Sequence, residues 1–221
     1  YGWLEGYDPG WTPNTTDAQG RRYCYGNQPG IAQWNLIRLA NALLPLCGDT
    51  APLEQGLATF ATTYEQASDR MLRDKLGLAS IAGASDDALI GELFPLLQAV
   101  ETDMTLFFRR LARVPVDAIA GATPDSALVE PLRPAFYDER ALDGPHAAKL
   151  TEWLRRYAAR VQQEALPNAE RVARMNRANP KFVPRNYLAQ QAIDALGQGD
   201  ASVIERLLRV LRRPYDEQPE H

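Results

Sequence analysis

Histidine, cysteine and lysine are scarce in this chain of 221 residues. His146 and the terminal His221 are the only histidines, too few for a histidine-rich metal cage or a His-based triad. Two cysteines, Cys24 and Cys47, make neither a disulfide scaffold nor a zinc site. Cys47 ends an apolar run and reads as a small buried hydrophobe, whereas Cys24 sits in a polar loop and reads as the exposed thiol. Lys75, Lys149 and Lys181 are the only lysines, so the positive charge is almost all arginine, and the net charge of -4 excludes the basic footprint of a nucleic-acid binder. No apolar run approaches the roughly 18 residues of a membrane span, so no membrane partner is expected. The opening YGWLE lacks the basic and apolar regions of a signal peptide and an initiator Met, and reads as the start of a piece of a longer chain.

Reaction motifs are also missing. The chain holds no phosphate loop of the G-x-x-x-x-G-K type and no G-x-G-x-x-G ahead of a helix. It has no nucleophile elbow, no kinase catalytic loop and no D-F-G. Carboxylates are plentiful, but none are paired at a spacing that marks an acid/base couple.

What is present is helix. Asn27 to Cys47, NQPGIAQWNLIRLANALLPLC, carries apolar side chains around most of its circumference, which predicts a central helix buried on nearly all sides. A thin polar row, Asn35, Arg38 and Asn41, follows one face and is expected to hold another backbone segment by hydrogen bonds. Further helices are predicted from Pro52 to a Gly77 stop, from a Ser85 cap through a Pro95 kink, and from Thr102 or Asp103 over DMTLFFRRLAR. His146 to Leu166 is an amphipathic helix started by a surface histidine. Asn168 to Ala178 is a short basic helix whose Arg171, Arg174 and Arg177 read as a solvated face, the alternative being a grip on an acidic partner. Two closing helices, Tyr187 to Leu196 and Ala201 to Arg213, meet at GQGD, and no strand or repeat is evident.

Four stretches organise the chain. Residues 1–30 are rich in Gly, Pro, Asn and aromatics and read as an ordered, irregular loop. Residues 31–113 are core helices, 114–145 a Pro-rich connector, and 146–221 a C-terminal helical extension. The fold class is all-α.

Three blocks resemble the selenoprotein O (SelO/YdiU) family of protein adenylyltransferases. They are GWLEGYDPG with NTTDAQGRRY and NQP, then QWNLIRLANAL, then NPKFVPRNYLAQQAIDALGQGD followed by Arg213-Pro214-Tyr215; DMTLFFRRL is a weaker fourth. The resemblance implies the C-terminal helical portion of a protein-kinase-like fold, with residues 1–30 as an activation-segment-like loop. It implies transfer of AMP from ATP to Ser, Thr or Tyr hydroxyls of proteins, with Mg2+ or Mn2+, in the bacterial cytoplasm. The family's D-Y-G-P motif would precede Tyr1-Gly2. The nucleotide-binding lobe, the catalytic lysine and the metal ligands would then lie upstream, so no catalytic, cofactor or metal residue is expected within this chain and the fragment alone is expected to be inactive.

The chain departs from the family pattern at three places. Pro13 stands where many bacterial members carry a cysteine that pairs with a C-terminal tail, which leaves redox control through that disulfide without support. Arg21-Arg22 looks like a one-residue insertion, and Pro184 replaces a common leucine. Within the loop, Asp17, Gly20, Arg21 and Arg22 either receive the protein substrate or nucleotide phosphates, or fix the loop by local turns and ion pairs, the commoner use of such residues. Arg185 and Asn186 read as anchors of the closing helices through a carboxylate. The rival classes are a non-catalytic helical interaction module and a kinase-like phosphotransferase or UMP transferase.

Overall fold

The computed structural model describes residues 3–14, 16–17, 19–118, 124–164 and 166–220. Tyr1, Gly2 and His221, named above, lie outside the described residues. The described residues form α1 (Gln28–Cys47), α2 (Ala51–Leu76), α3 (Ala84–Ala99), α4 (Met104–Leu111), α5 (Asp125–Val129), α6 (Pro145–Gln162), α7 (Asn168–Ala178), α8 (Asn186–Gly197) and α9 (Ser202–Leu211). Short 3-10 turns at Tyr25–Asn27, Val116–Ala118, Glu130–Ala135 and Glu139–Leu142 fill the connections. The only β features among the described residues are two isolated antiparallel bridges, Gly6 with Asp103 and Thr102 with Phe136. The fold is all-α, as the periodicity predicts.

Helix ends follow local chemistry. Pro29 occupies the first turn of α1, where its missing N–H costs nothing, and Gly48 closes the helix in the left-handed region by donating to the Leu44 carbonyl at 2.9 Å. The Asp103 carboxylate accepts from the Leu106 amide at 2.9 Å and caps α4. Ser85 does not cap α3; the helix starts one residue before it and Gly83, at φ +82°, holds the cap position. Helix α6 stops at Gln162, short of the Pro167 boundary.

The chain divides into two units, one comprising Asp8–Leu72 and the other Gly2–Tyr7 with Arg73–His221. The core belongs to the second. Trp153, Tyr157, Phe107, Leu93, Leu128 and Leu132 have no exposed surface. They share one apolar cluster to which α3, α4, α5 and α6 all contribute. The stripe Leu150, Trp153, Leu154, Tyr157, Ala158 and Val161 is the buried face of α6, and its i, i+4 spacing lets the Trp153 and Tyr157 rings stack at 5.4 Å. Each ring's polar atom is satisfied: Trp153 Nε1 donates to the Leu89 carbonyl at 2.8 Å and the Tyr157 hydroxyl to the Leu76 carbonyl at 2.7 Å.

Four expectations about burial are overturned. Helix α1 is not a core helix of this chain: none of its residues is buried, Leu46 is 83% exposed and Leu39 53%. The physical reason is a lack of partners, since Cys24 is the only buried residue among those described in Asp8–Leu72. The cysteines are exchanged: Cys24 is buried and Cys47, on the uncovered helix, is exposed. Arg171 is not on a solvated face but fully buried, its guanidinium donating to Asn168 Oδ1, the Tyr157 hydroxyl, Met175 Sδ and the Ala112 carbonyl. His146, read as a surface residue, packs its ring edge-on to Phe136 at 5.8 Å, with Nε2 shut off from water and without a partner among the described residues.

Candidate functional site

The irregular segment from Asp8 to Gln28 folds back on itself through backbone pairing. Tyr25 N donates to the Trp11 carbonyl at 2.9 Å and Gly26 N to the Pro9 carbonyl at 2.7 Å. Asp8 turns the chain by accepting from Gly10 N at 2.8 Å, an Asx-turn. Asp17 does the same work at the tip: its Oδ2 accepts from Arg22 N at 2.7 Å while its carbonyl accepts from Arg21 N at 3.0 Å. Gly20 lies so close that a Cβ there would sit 2.6 Å from Asp17 Oδ1. Arg21 adopts φ +44°, rare for a side-chain-bearing residue, and donates from Nη1 to the Gly10 carbonyl at 3.3 Å. The four loop residues singled out from sequence are thus brought together, chiefly by Asp17. An open cavity of about 370 Å3 lies along the same segment, lined by Trp11, Pro13, Asn14, Tyr23, Tyr25 and Gln28.

Arg22 has a second role. Its guanidinium carbon lies 4.4 Å from the centre of the Trp34 ring, and that of Arg38 lies 4.7 Å from it, so the loop and α1 share one aromatic platform. Trp34 and Arg38 are one helical turn apart, a spacing that could have flagged the pair; nothing in the sequence brought Arg22 to it. Asn35 and Asn41, the rest of the polar row, are exposed and bond no described residue.

A separate cluster surrounds the NPKFVPRN stretch. Asn179, fully buried, donates from Nδ2 to the Lys75 carbonyl at 2.9 Å and accepts from Lys75 Nζ at 3.1 Å. Arg109 donates to the Asn176 and Asn179 carbonyls, both at 2.9 Å, and pairs with Glu217 at 2.6 Å. Arg185 Nη2 pairs with Asp103 Oδ2 at 2.7 Å. Asn186 holds the backbone of Trp3 at both ends, accepting from Trp3 N and donating to its carbonyl, each at 3.0 Å, while Asn186 N donates to Glu5 Oε1 at 2.8 Å. Tyr7 N then donates to the Thr102 carbonyl at 2.8 Å. This stretch therefore ties together residues 3–7, the end of α2, the start of α4 and the C-terminal Glu217. Sequence reasoning missed Asp103 as the partner of Arg185, because the two lie on separate elements with no shared period.

Among the described residues no group of three or more His, Cys, Asp or Glu side chains is placed to hold a metal ion. Among the described residues no helix is long and apolar enough to cross a membrane. The cluster around Asn179 and Arg185 is built for positioning: its donors are used on carbonyls and carboxylates of the chain itself.

A family model described as protein adenylyltransferase SelO matches residues 1–212. The chain is 58% identical to the protein nucleotidyltransferase YdiU of Nitrosospira multiformis, covering all of this chain and 42% of that relative. It is 53% identical to the protein of the same description from Azoarcus sp. (strain BH72), covering all of this chain and 40% of the relative. The chain spans about two fifths of the length of the curated relatives it matches.

Proposed function

The chain belongs to the protein adenylyltransferase SelO family, and on that premise we propose that it is the C-terminal helical part of an enzyme that transfers AMP from ATP to Ser, Thr or Tyr hydroxyls of proteins. The observation that carries this reading is the unbroken family match over residues 1–212, at more than half identity to proteins described as nucleotidyltransferases. In this reading the fold is protein-kinase-like and residues 1–30 serve as its activation segment. The nucleotide-binding lobe, with ATP and Mg2+ or Mn2+, lies in the part of the relatives that this chain does not cover. The ion would neutralise the phosphates; no step through it is assigned to a residue of this chain, because no described cluster suits it.

What this chain contributes is placement. The Asp17 turn and the Arg22–Trp34–Arg38 stack set the course of the loop over α1. Asn186 fixes the backbone at Trp3, just ahead of that loop. The uncovered leucines of α1, Leu39, Leu43 and Leu46, recur at one helical face and offer a surface for the absent lobe. Asn35 and Asn41, unbonded among the described residues, are free to hold the catalytic loop that such a lobe would bring.

The test is intact-mass and peptide-mapping analysis of protein substrates incubated with ATP and the full-length enzyme. An added AMP on a hydroxyl supports the reading. An added phosphate, or transfer only from UTP, assigns the chain to phosphotransferases or UMP transferases instead. The fragment alone is expected to transfer nothing. If the reading frame upstream encodes no nucleotide lobe ending in D-Y-G-P, a non-catalytic helical module replaces the proposal.

A further inference from the structure

Arg73 in the last turns of α2 and Arg174 and Arg177 in the last turns of α7 open on one cleft of about 540 Å3, completed by Asp74, Ala79 and Ala178. The volume falls within the roughly 300–1,000 Å3 typical of small-ligand pockets. Three guanidiniums meet one carboxylate there, within a chain whose net charge is -4. The carboxylate is engaged only loosely, Arg73 Nε lying 3.4 Å from Asp74 Oδ1. Arg174 uses Nη1 on the Leu78 carbonyl at 2.7 Å. Arg177 is exposed and has no hydrogen bond or ion pair with any described residue. Elsewhere in the same unit arginines facing a carboxylate hold it closely, as Arg160 does Asp86 at 2.7 Å.

A cation near a helix C-terminus is favourable by itself, and that accounts for each arginine singly. It does not account for their convergence on one cavity, where like charges repel unless an anion lies between them. Arg174 and Arg177, three residues apart, present their forks on one helical face, a geometry suited to an oxyanion with several acceptor oxygens. The lining contains no aromatic ring on which a base could stack and only alanine as apolar wall. We propose that this cleft binds a phosphate-bearing anion recognised through its phosphates alone, carried either by a small oligophosphate or by a phosphorylated side chain of a partner protein. The site is independent of the nucleotidyl-transfer reading.

The experiment titrates three probes separately into the full chain while following the arginine Nε–Hε signals by NMR: inorganic pyrophosphate, a phosphoserine peptide and an oligoglutamate peptide. Saturable shifts at Arg174 and Arg177 with either phosphate probe support the proposal, and the tighter of the two identifies the source. Arg177→Gln, a change at an exposed, unbonded side chain, is expected to weaken that binding about tenfold, whereas Arg209→Gln on exposed α9 leaves it unchanged. Absence of saturable shifts, equal binding of oligoglutamate, or an unaltered affinity in Arg177→Gln overturns it.

Discussion

Arg185 Nη2 lies 2.7 Å from Asp103 Oδ2, and both side chains are largely removed from water, 14% and 6% exposed respectively. Asp103 also caps α4 through Leu106 N, so one carboxylate joins α4 to the start of α8. Removing one member of a buried pair strands the other charge, which costs far more than the pair itself contributes. Arg185→Ala is expected to lower the unfolding free energy by about 3 kcal/mol, read from the urea midpoint. Asp103→Asn keeps a competent cap and should lose a similar amount through Arg185 alone. A loss below about 1 kcal/mol in both variants would mean that Arg185 is solvated in solution, as exposed pairs are.

Gly77 marks a point where α2 must end. Its φ is +69°, and a Cβ there would lie 2.7 Å from both Arg171 Cγ and Met175 Cγ. Either feature alone disfavours a side chain, and the crowded atoms belong to Arg171 and Met175, both fully buried. Gly77→Ala is expected to destabilise the protein by roughly 2–3 kcal/mol, with a lower thermal midpoint. Gly56→Ala on α2, where a Cβ meets nothing within 4 Å, should instead be neutral or stabilising.

Much of the helical plan is legible in the residue pattern, because it rests on local rules. The α7 boundaries at Asn168 and Ala178 and the Gly77 stop follow from Pro and Gly chemistry that acts within a turn. Burial was not legible to the same degree. An all-round apolar composition states that α1 needs cover, but not that this chain provides it, and so Leu46 is exposed. Arg171, Arg174 and Arg177 share one spacing yet end in three environments, because burial is decided by whichever element packs above each turn. The site residues show the same division: Asp17 with Arg22 is a local turn and readable, whereas Asp103 with Arg185 depends on tertiary placement.

Tyr157 gives a prediction at high pH. Burial pushes its hydroxyl up to about 12 from the ordinary 10, against the partly offsetting pull of the Arg171 guanidinium. Between those values the folded state keeps the proton and the unfolded chain loses it, so stability falls as pH rises. The loss between pH 10 and 12 should be on the order of 2 kcal/mol, measured by denaturant titration. Tyr157→Phe should flatten that part of the pH profile while costing about 1 kcal/mol at neutral pH for the unpaired Leu76 carbonyl.

His146 acts in the opposite direction on the pH scale. Burial, and after it the Lys149 ammonium, hold its imidazole below the ordinary 6.5. The folded state therefore favours the neutral ring. Its contribution is complete above pH 6.5 and is lost as pH falls towards the lowered folded value, where the unfolded chain takes the proton first. His146→Phe keeps an aromatic ring against Phe136 and removes the unpartnered Nε2. This variant should match or exceed the parent in stability at pH 7 and lose the decline below pH 6.5. A decline that persists unchanged in His146→Phe assigns it to other groups.

The polar row of α1 separates a surface role from a positioning role. Asn35, Arg38 and Asn41 are exposed in this chain, and Arg38 is engaged only with the Trp34 ring. If they are surface residues, Asn35→Ala and Arg38→Ala change stability by less than about 0.5 kcal/mol and leave the turnover of the proposed transferase intact. If α1 carries the catalytic loop of the proposed transferase, the same variants leave stability of the isolated chain unaltered but lower kcat of the full-length enzyme by a factor of ten or more, through misplacement of reacting groups. Trp34→Phe then becomes informative. It keeps a weaker platform for Arg22 and Arg38, and should retain more turnover than Trp34→Ala, with KM for ATP unchanged because no nucleotide contact is removed. We expect the second pattern, since a row of uncommitted amides on an otherwise apolar, uncovered helix has no use in this chain by itself. Normal turnover in both Asn35→Ala and Arg38→Ala would refute the positioning role while leaving the family membership untouched.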